Sequence, residues 1–140
     1  MITPIEVRFT DVDSDNHVNH IAIAEWIAHA RVTMIDELVK QYRDEDGCWA
    51  DIDYVLVKLS IDFRDQIIYP NIIEVQGKIL RIGTKSLTTQ YSVYIPGDQP
   101  KIVATAECVS VFVDVTNSRK GIEIPDELRK IFDIWDGNYY

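Results

Sequence analysis

The chain predicts an α+β fold, one long helix wrapped by a five-stranded antiparallel sheet, and three observations carry that expectation. From His20 to about Tyr42 there is no glycine or proline, and apolar residues recur at spacings of three and four. Four segments follow that alternate apolar and polar residues and are joined by short turns, so consecutive strands pair antiparallel. One more alternating segment precedes the helix. All 140 residues fit a single domain with one core.

Taken in order, Ile5 to Val12 alternates at period two and reads as a strand with one face inward. Asp13 to Asn19 has turn composition; Asn16 tolerates a left-handed backbone and Asn19 suits a helix N-cap. Ile23, Trp26, Ile27, Ala30, Met34, Leu38 and Val39 then form an apolar stripe, widened by Val32, Ile35 and Tyr42, on a helix of about 23 residues and about 34 Å. Arg43-Asp44-Glu45-Asp46-Gly47 is charged, and its glycine can end the helix.

The strands that follow are Tyr54 to Phe63, Ile72 to Ile82, Ser86 to Ile95 and Lys101 to Val115. Tyr69-Pro70-Asn71, Gly83-Thr84-Lys85 and Pro96-Gly97-Asp98 supply the turns. Ala104, Ala106 and Cys108 share one face of the last strand, and such small side chains are expected to let a helix approach that face closely. Pro125 to Ile134 reads as a short helix with Pro125 at its first position and Leu128, Ile131 and Phe132 along one side. Asn138 to Tyr140 is expected to fray.

A net charge of -9 argues against a nucleic-acid binder, which needs clustered lysine and arginine. Met1-Ile2-Thr3-Pro4 has neither a basic start nor an apolar run, and no segment is apolar for long enough to span a bilayer, so the cytoplasm is the expected location. Cys48 and Cys108 lack metal-ligand spacing and are expected to be free buried thiols.

Chemistry concentrates between positions 11 and 20, where three aspartates, two histidines and two asparagines precede the helix. Asp11-x-Asp13-x-Asp15 begins like a calcium loop, but Asn16 and Ala22 stand where that loop needs glycine and a bidentate glutamate. A transition metal held by Asp13, His17 and His20 would need His17 to be helical, against the Asn19 cap. Were residues 11 to 15 extended, alternate carboxylates would lie about 7 Å apart and repel by about 2 kcal/mol at an effective dielectric of 20. A protein that keeps such an arrangement exposes it or uses it.

The run from Asp11 to His20, followed by Trp26 and by Ala30-Arg31, resembles the signature of hotdog-fold acyl-thioester hydrolases of the 4-hydroxybenzoyl-CoA thioesterase type. Ile61-Asp62-Phe63, Gly83-Thr84-Lys85-Ser86 and the path through Asp114 to Ile124-Pro125 extend the likeness along nearly the whole chain. The resemblance implies a helix held in an antiparallel sheet, a homodimer or homotetramer with active sites at the subunit interface, and hydrolysis without metal or redox cofactor.

By the same resemblance Asp13 is the catalytic carboxylate, either attacking the thioester carbonyl or activating water. The His20 amide, at the positive end of the helix, would donate to the developing oxyanion. His17 is the auxiliary that holds Asp13 or a water, and Asn19 is the cap. Thr84, Lys85 and Ser86 match the turn that contacts the coenzyme A nucleotide, and Ile23, Trp26 and Ile27 would line the acyl pocket. Three departures stand out. Asp15 replaces the asparagine of a related branch, Asn16 replaces a glycine, and Ile23 and Ala28 replace the usual helix tyrosine and glutamate. The acidic chain favours acyl-CoA over acidic acyl-carrier protein as substrate. A dehydratase would need a second His/Glu pair on the helix, which is missing, and a non-catalytic acyl-CoA-binding module needs only the fold.

Overall fold

The computed structural model describes residues 1–46 and 52–135. Its elements run β1 (Ile2–Glu6), a 3₁₀ turn (Phe9–Asp11), α1 (His20–Asp46), β2 (Ile52–Phe63), β3 (Ile72–Ile82), β4 (Ser86–Ile95), β5 (Lys101–Asp114), β6 (Lys120–Gly121) and α2 (Asp126–Ile134). The strands form one antiparallel sheet in the order β1-β3-β4-β5-β2, with the two-residue β6 beside β5. One long helix packed on such a sheet is the hotdog arrangement.

The first strand ends earlier than the alternation suggests. Glu6 is the last residue opposite β3, at Ile72, and beyond it the chain turns because Asp11 captures the Arg8 amide at 2.8 Å. The helix ends later than expected, since no glycine or proline interrupts residues 43 to 46 and charged side chains are tolerable helix formers. Gly47, Cys48 and the Asn138–Tyr140 end lie outside the described residues. At α2, Pro125 is the N-cap rather than the first helical residue. Strands β3 and β4 keep the limits read from the sequence.

The core lies between α1 and the concave face of the sheet. Ile23, Trp26, Ile27, Ala30, Met34, Ile35, Leu38 and Val39 are all buried, whereas Val32 is exposed and does not widen the buried stripe. The helix does not come closest over Ala104, Ala106 and Cys108, although all three are buried. Its nearest strand is β3, at Gly77, where an added Cβ would lie 2.7 Å from Met34 Sδ and 2.8 Å from Tyr91 Cε1. Gly77, Tyr91 and Ala106 stand in one cross-strand row, so the two small residues flank the buried ring. On β5, Ala106 thus makes room for an aromatic neighbour, Tyr91.

Gly77→Ala is therefore expected to lower stability by about 1–3 kcal/mol through overpacking. A urea titration comparing the two proteins measures it.

Candidate active site

The segment before α1 is a small hairpin rather than an extended acidic strand. Val12 bridges Val18, the Asp13 amide donates to His17 O at 2.9 Å, and the Asn19 amide donates to Asp11 O at 2.9 Å. Asn16 turns the tip with φ 62°, a conformation asparagine accepts at low cost. The Val18 amide donates to Ile67 O at 2.8 Å and His17 bridges Ile68, docking the hairpin on the loop that leads into β3.

The three aspartates separate into different roles. Asp11 is buried; it accepts the Arg8 amide and is gripped by the Arg8 guanidinium, Nη2 to Oδ1 at 2.7 Å. Burial by itself would raise this carboxyl, but the Arg8 hydrogen bonds outweigh it and hold the group below the usual carboxylate range. Asp13 is exposed in the single chain, and its Oδ1 accepts the amides of Asp15 at 2.9 Å and His17 at 3.2 Å. Its other oxygen has no protein partner among the described residues. Asp15 is exposed at the tip. Sequence reading missed the structural role of Asp11; its signal was Arg8 three residues earlier.

At the helix start Asn19 Oδ1 accepts the Ala22 amide at 2.9 Å, the cap its residue type implies. The amides of His20 and Ile21 have no acceptor within the helix. The exposed His20 ring packs edge-on to Phe63 at 6.3 Å, beside the end of β2. Asp13 stands two strand positions, about 7 Å, beyond the level of Asn19 in the hairpin. His17 is half-buried. Ile23, Trp26 and Ile27 are all buried, and Trp26 lies on the β1 side of the helix, in a groove of about 330 Å³ shared with Pro4, Ile5, Glu6, Arg8, Glu25 and His29.

The Thr84-Lys85-Ser86 turn is held through its carbonyls. Gly83 O accepts from Arg129 Nη2 at 2.9 Å, Thr84 O from the Ile124 amide at 2.9 Å, Lys85 O from the Phe112 amide at 3.0 Å and Ser86 O from the Gly83 amide at 2.7 Å. The backbone is pinned while the Thr84 and Lys85 side chains stay exposed. Arg81 and Arg129 line an adjoining groove of about 270 Å³ with Asp133, a cationic group that periodicity could not assemble because Arg129 comes from α2. The turn follows the far end of β3 from the hairpin, so within one chain the two are separated by roughly 30 Å.

A hotdog fold with a carboxylate-bearing turn against a capped helix start defines the class. The chain belongs to the thioesterase-like superfamily, whose family model matches residues 7–132. Its activity is thioester hydrolysis. Among solved structures it is similar to YbaW, a probable thioesterase from Escherichia coli, with 22% identity, a TM-score of 0.80 and coverage of 95% of this chain and 96% of that one. A thioesterase superfamily structure from Jannaschia sp. CCS1 has 22% identity and a TM-score of 0.80, covering 97% and 82% of the two chains. The BH1999 gentisyl-coenzyme A thioesterase has 17% identity and a TM-score of 0.75, covering 94% and 99%. At these identities the likeness is one of fold. No curated protein matches the chain by sequence. Among the described residues no helix is long and apolar enough to cross a membrane.

The depressed Asp11 carboxyl stabilises the fold fully above the ordinary unfolded value of about 4, and that contribution disappears as pH falls through the lower folded value. Asp11→Asn is expected to cost about 2 kcal/mol at neutral pH, with the gap to wild type closing on acidification, as read from urea midpoints at a series of pH values.

Proposed function

We propose that this thioester hydrolase acts on acyl-CoA, with Asp13 as the reacting carboxylate. The observation that carries the reading is the hairpin itself: Asp13 is tethered through one oxygen ahead of a helix start whose His20 and Ile21 amides have no acceptor among the described residues. A thioester carbonyl at the helix start would meet the His20 amide and the positive end of the helix, which favours the oxyanion. The Asp13 oxygen without a partner either attacks the carbonyl carbon or takes a proton from water, and His17, half-buried beside it, orients that group.

Coenzyme A is favoured over acyl-carrier protein because cations gather locally in an acidic chain, with Lys85 on the pinned turn beside Arg81 and Arg129. One structure of the same fold carries a coenzyme A thioester in its name. The nucleotide would lie against Thr84, Lys85 and Ser86, and the acyl group between α1 and the sheet.

Asp13 and that turn are too far apart in one chain to hold one substrate, which supports a homodimer. β2 is a 12-residue edge strand paired, among the described residues, with β5 alone, and Val57, Leu59 and Phe63 on it are exposed. The turn lies level with Val55, through Ser86 and Val111, and His20 lies level with Phe63. Antiparallel pairing of two β2 strands about Leu59 would set Phe63 opposite the partner's Val55, bringing the hairpin of one copy to the turn end of the other.

Wild-type protein is expected to release free thiol from at least one member of an acyl-CoA panel, and Asp13→Asn to slow that release at least about a hundredfold. Undiminished activity in the mutant would remove Asp13 from the reaction, and background rates for every wild-type substrate would leave an acyl-CoA binder. Val57→Lys combined with Leu59→Lys is expected to convert a dimer to a monomer in light scattering and to abolish hydrolysis with Asp13 intact; a fully active monomer would refute the shared site.

A further inference from the structure

His20, Ala24, Ile27 and Arg31 are spaced four, three and four residues apart and so form one stripe on α1, about 16 Å long. At one end His20 meets Phe63 of β2. At the other the Arg31 guanidinium lies 5.7 Å from the centre of the Tyr54 ring, on the same strand, and donates from Nη1 to Ser110 Oγ at 3.3 Å. β2 therefore faces this stripe at both ends.

Arg31 has no carboxylate in ion-pair range among the described residues. Asp36 instead accepts the Tyr54 hydroxyl at 2.9 Å. Arg31 Nε is buried without a hydrogen-bond partner, and so are Thr89 Oγ1 and the Tyr91 hydroxyl. Thr89 and Tyr91 are both wholly buried and share a face of β4, with Cys108 opposite the first and Ala106 opposite the second. Burial pushes the Tyr91 phenol and the Cys108 thiol up; the Thr89 hydroxyl pulls the phenol back first, and the Arg31 charge pulls back both, so these groups share one electrostatic neighbourhood. Nearly all buried polar atoms in folded proteins are paired, and each orphan costs about 1–3 kcal/mol. Donor groups thus gather in one layer, the Thr89 and Tyr91 hydroxyls within reach of each other, and an oxygen placed among them would give Arg31 Nε the acceptor that the described residues do not supply.

We infer that the stripe is an acyl track and that the Arg31, Thr89 and Tyr91 layer reads an oxygen at the far end of the acyl group. The preferred substrates are thioesters carrying a distal carboxylate or hydroxyl rather than plain alkanoyl thioesters. This rests on the reading that places the thioester carbonyl at His20.

The test compares dodecanedioyl-CoA, ω-hydroxydodecanoyl-CoA and dodecanoyl-CoA, which share a chain length and differ at the distal end. At least one oxygen-bearing substrate is expected to exceed dodecanoyl-CoA in kcat/KM by about tenfold or more, and which one does so separates carboxylate from hydroxyl recognition. Arg31→Met, Thr89→Val and Tyr91→Phe are each expected to narrow that ratio, and Arg31→Lys to retain more of it than Arg31→Met. Equal turnover of all three thioesters by wild type, or a ratio unmoved by every variant, overturns the inference. If none is hydrolysed, the acyl-CoA reading fails separately, and calorimetric titration with dodecanedioate, ω-hydroxydodecanoate and dodecanoate reads the site alone. Tighter binding of an oxygen-bearing acid that Thr89→Val abolishes sustains it, and equal binding of all three overturns it.

Discussion

The entry of the chain into α1 is the constraint on which the rest of the structure depends. A helix begins with amides that its own turns cannot satisfy. Here Asn19 takes one of them, and the backbone just before it is tied to Asp11 and to Ile67. Asp11 can occupy a buried position because Arg8 supplies both an amide and a guanidinium to its oxygens. The residues that anchor this junction are thus distinct from the residue proposed to react there, which lets Asp13 remain exposed while its backbone is fixed.

The same junction sets where the helix can lie on the sheet. With its start docked on the loop before β3, α1 passes closest to β3, and only a glycine at position 77 leaves room for Met34 and Tyr91 together. The far side of the helix then faces β5 and β2, an edge strand whose outer side has no partner among the described residues. Shape and composition agree at that edge. A long strand with exposed Val57 and Phe63 suits pairing, and the proposed dimer uses it to join ends of the site that one chain keeps apart.

Polar groups inside the sheet tell a related story. Arg31, Thr89 and Tyr91 sit on elements whose periodicity marks them only as interior or as a break in an apolar stripe. Burial without partners gives them meaning, because an unpaired donor away from water is costly. Their proposed place at the far end of the stripe from His20 would connect a feature of packing to substrate choice.

What could be read from the sequence was whatever depends on neighbours in the chain. The period of α1, the limits of β3 and β4, the left-handed Asn16 and the Asn19 cap all follow from side-chain shape and local hydrogen bonding. Family membership could also be read there, since the residues from Asp11 to His20 keep their order. Distant contacts were hidden. The end of β1 was set by where β3 begins, the place of closest helix approach by Gly77, and the anchoring of the Lys85 turn by Arg129 from the last helix. Periodicity reports which face of an element is buried, but not what is buried against it; that is decided by packing between residues far apart in the chain, so it belongs to the tertiary structure alone.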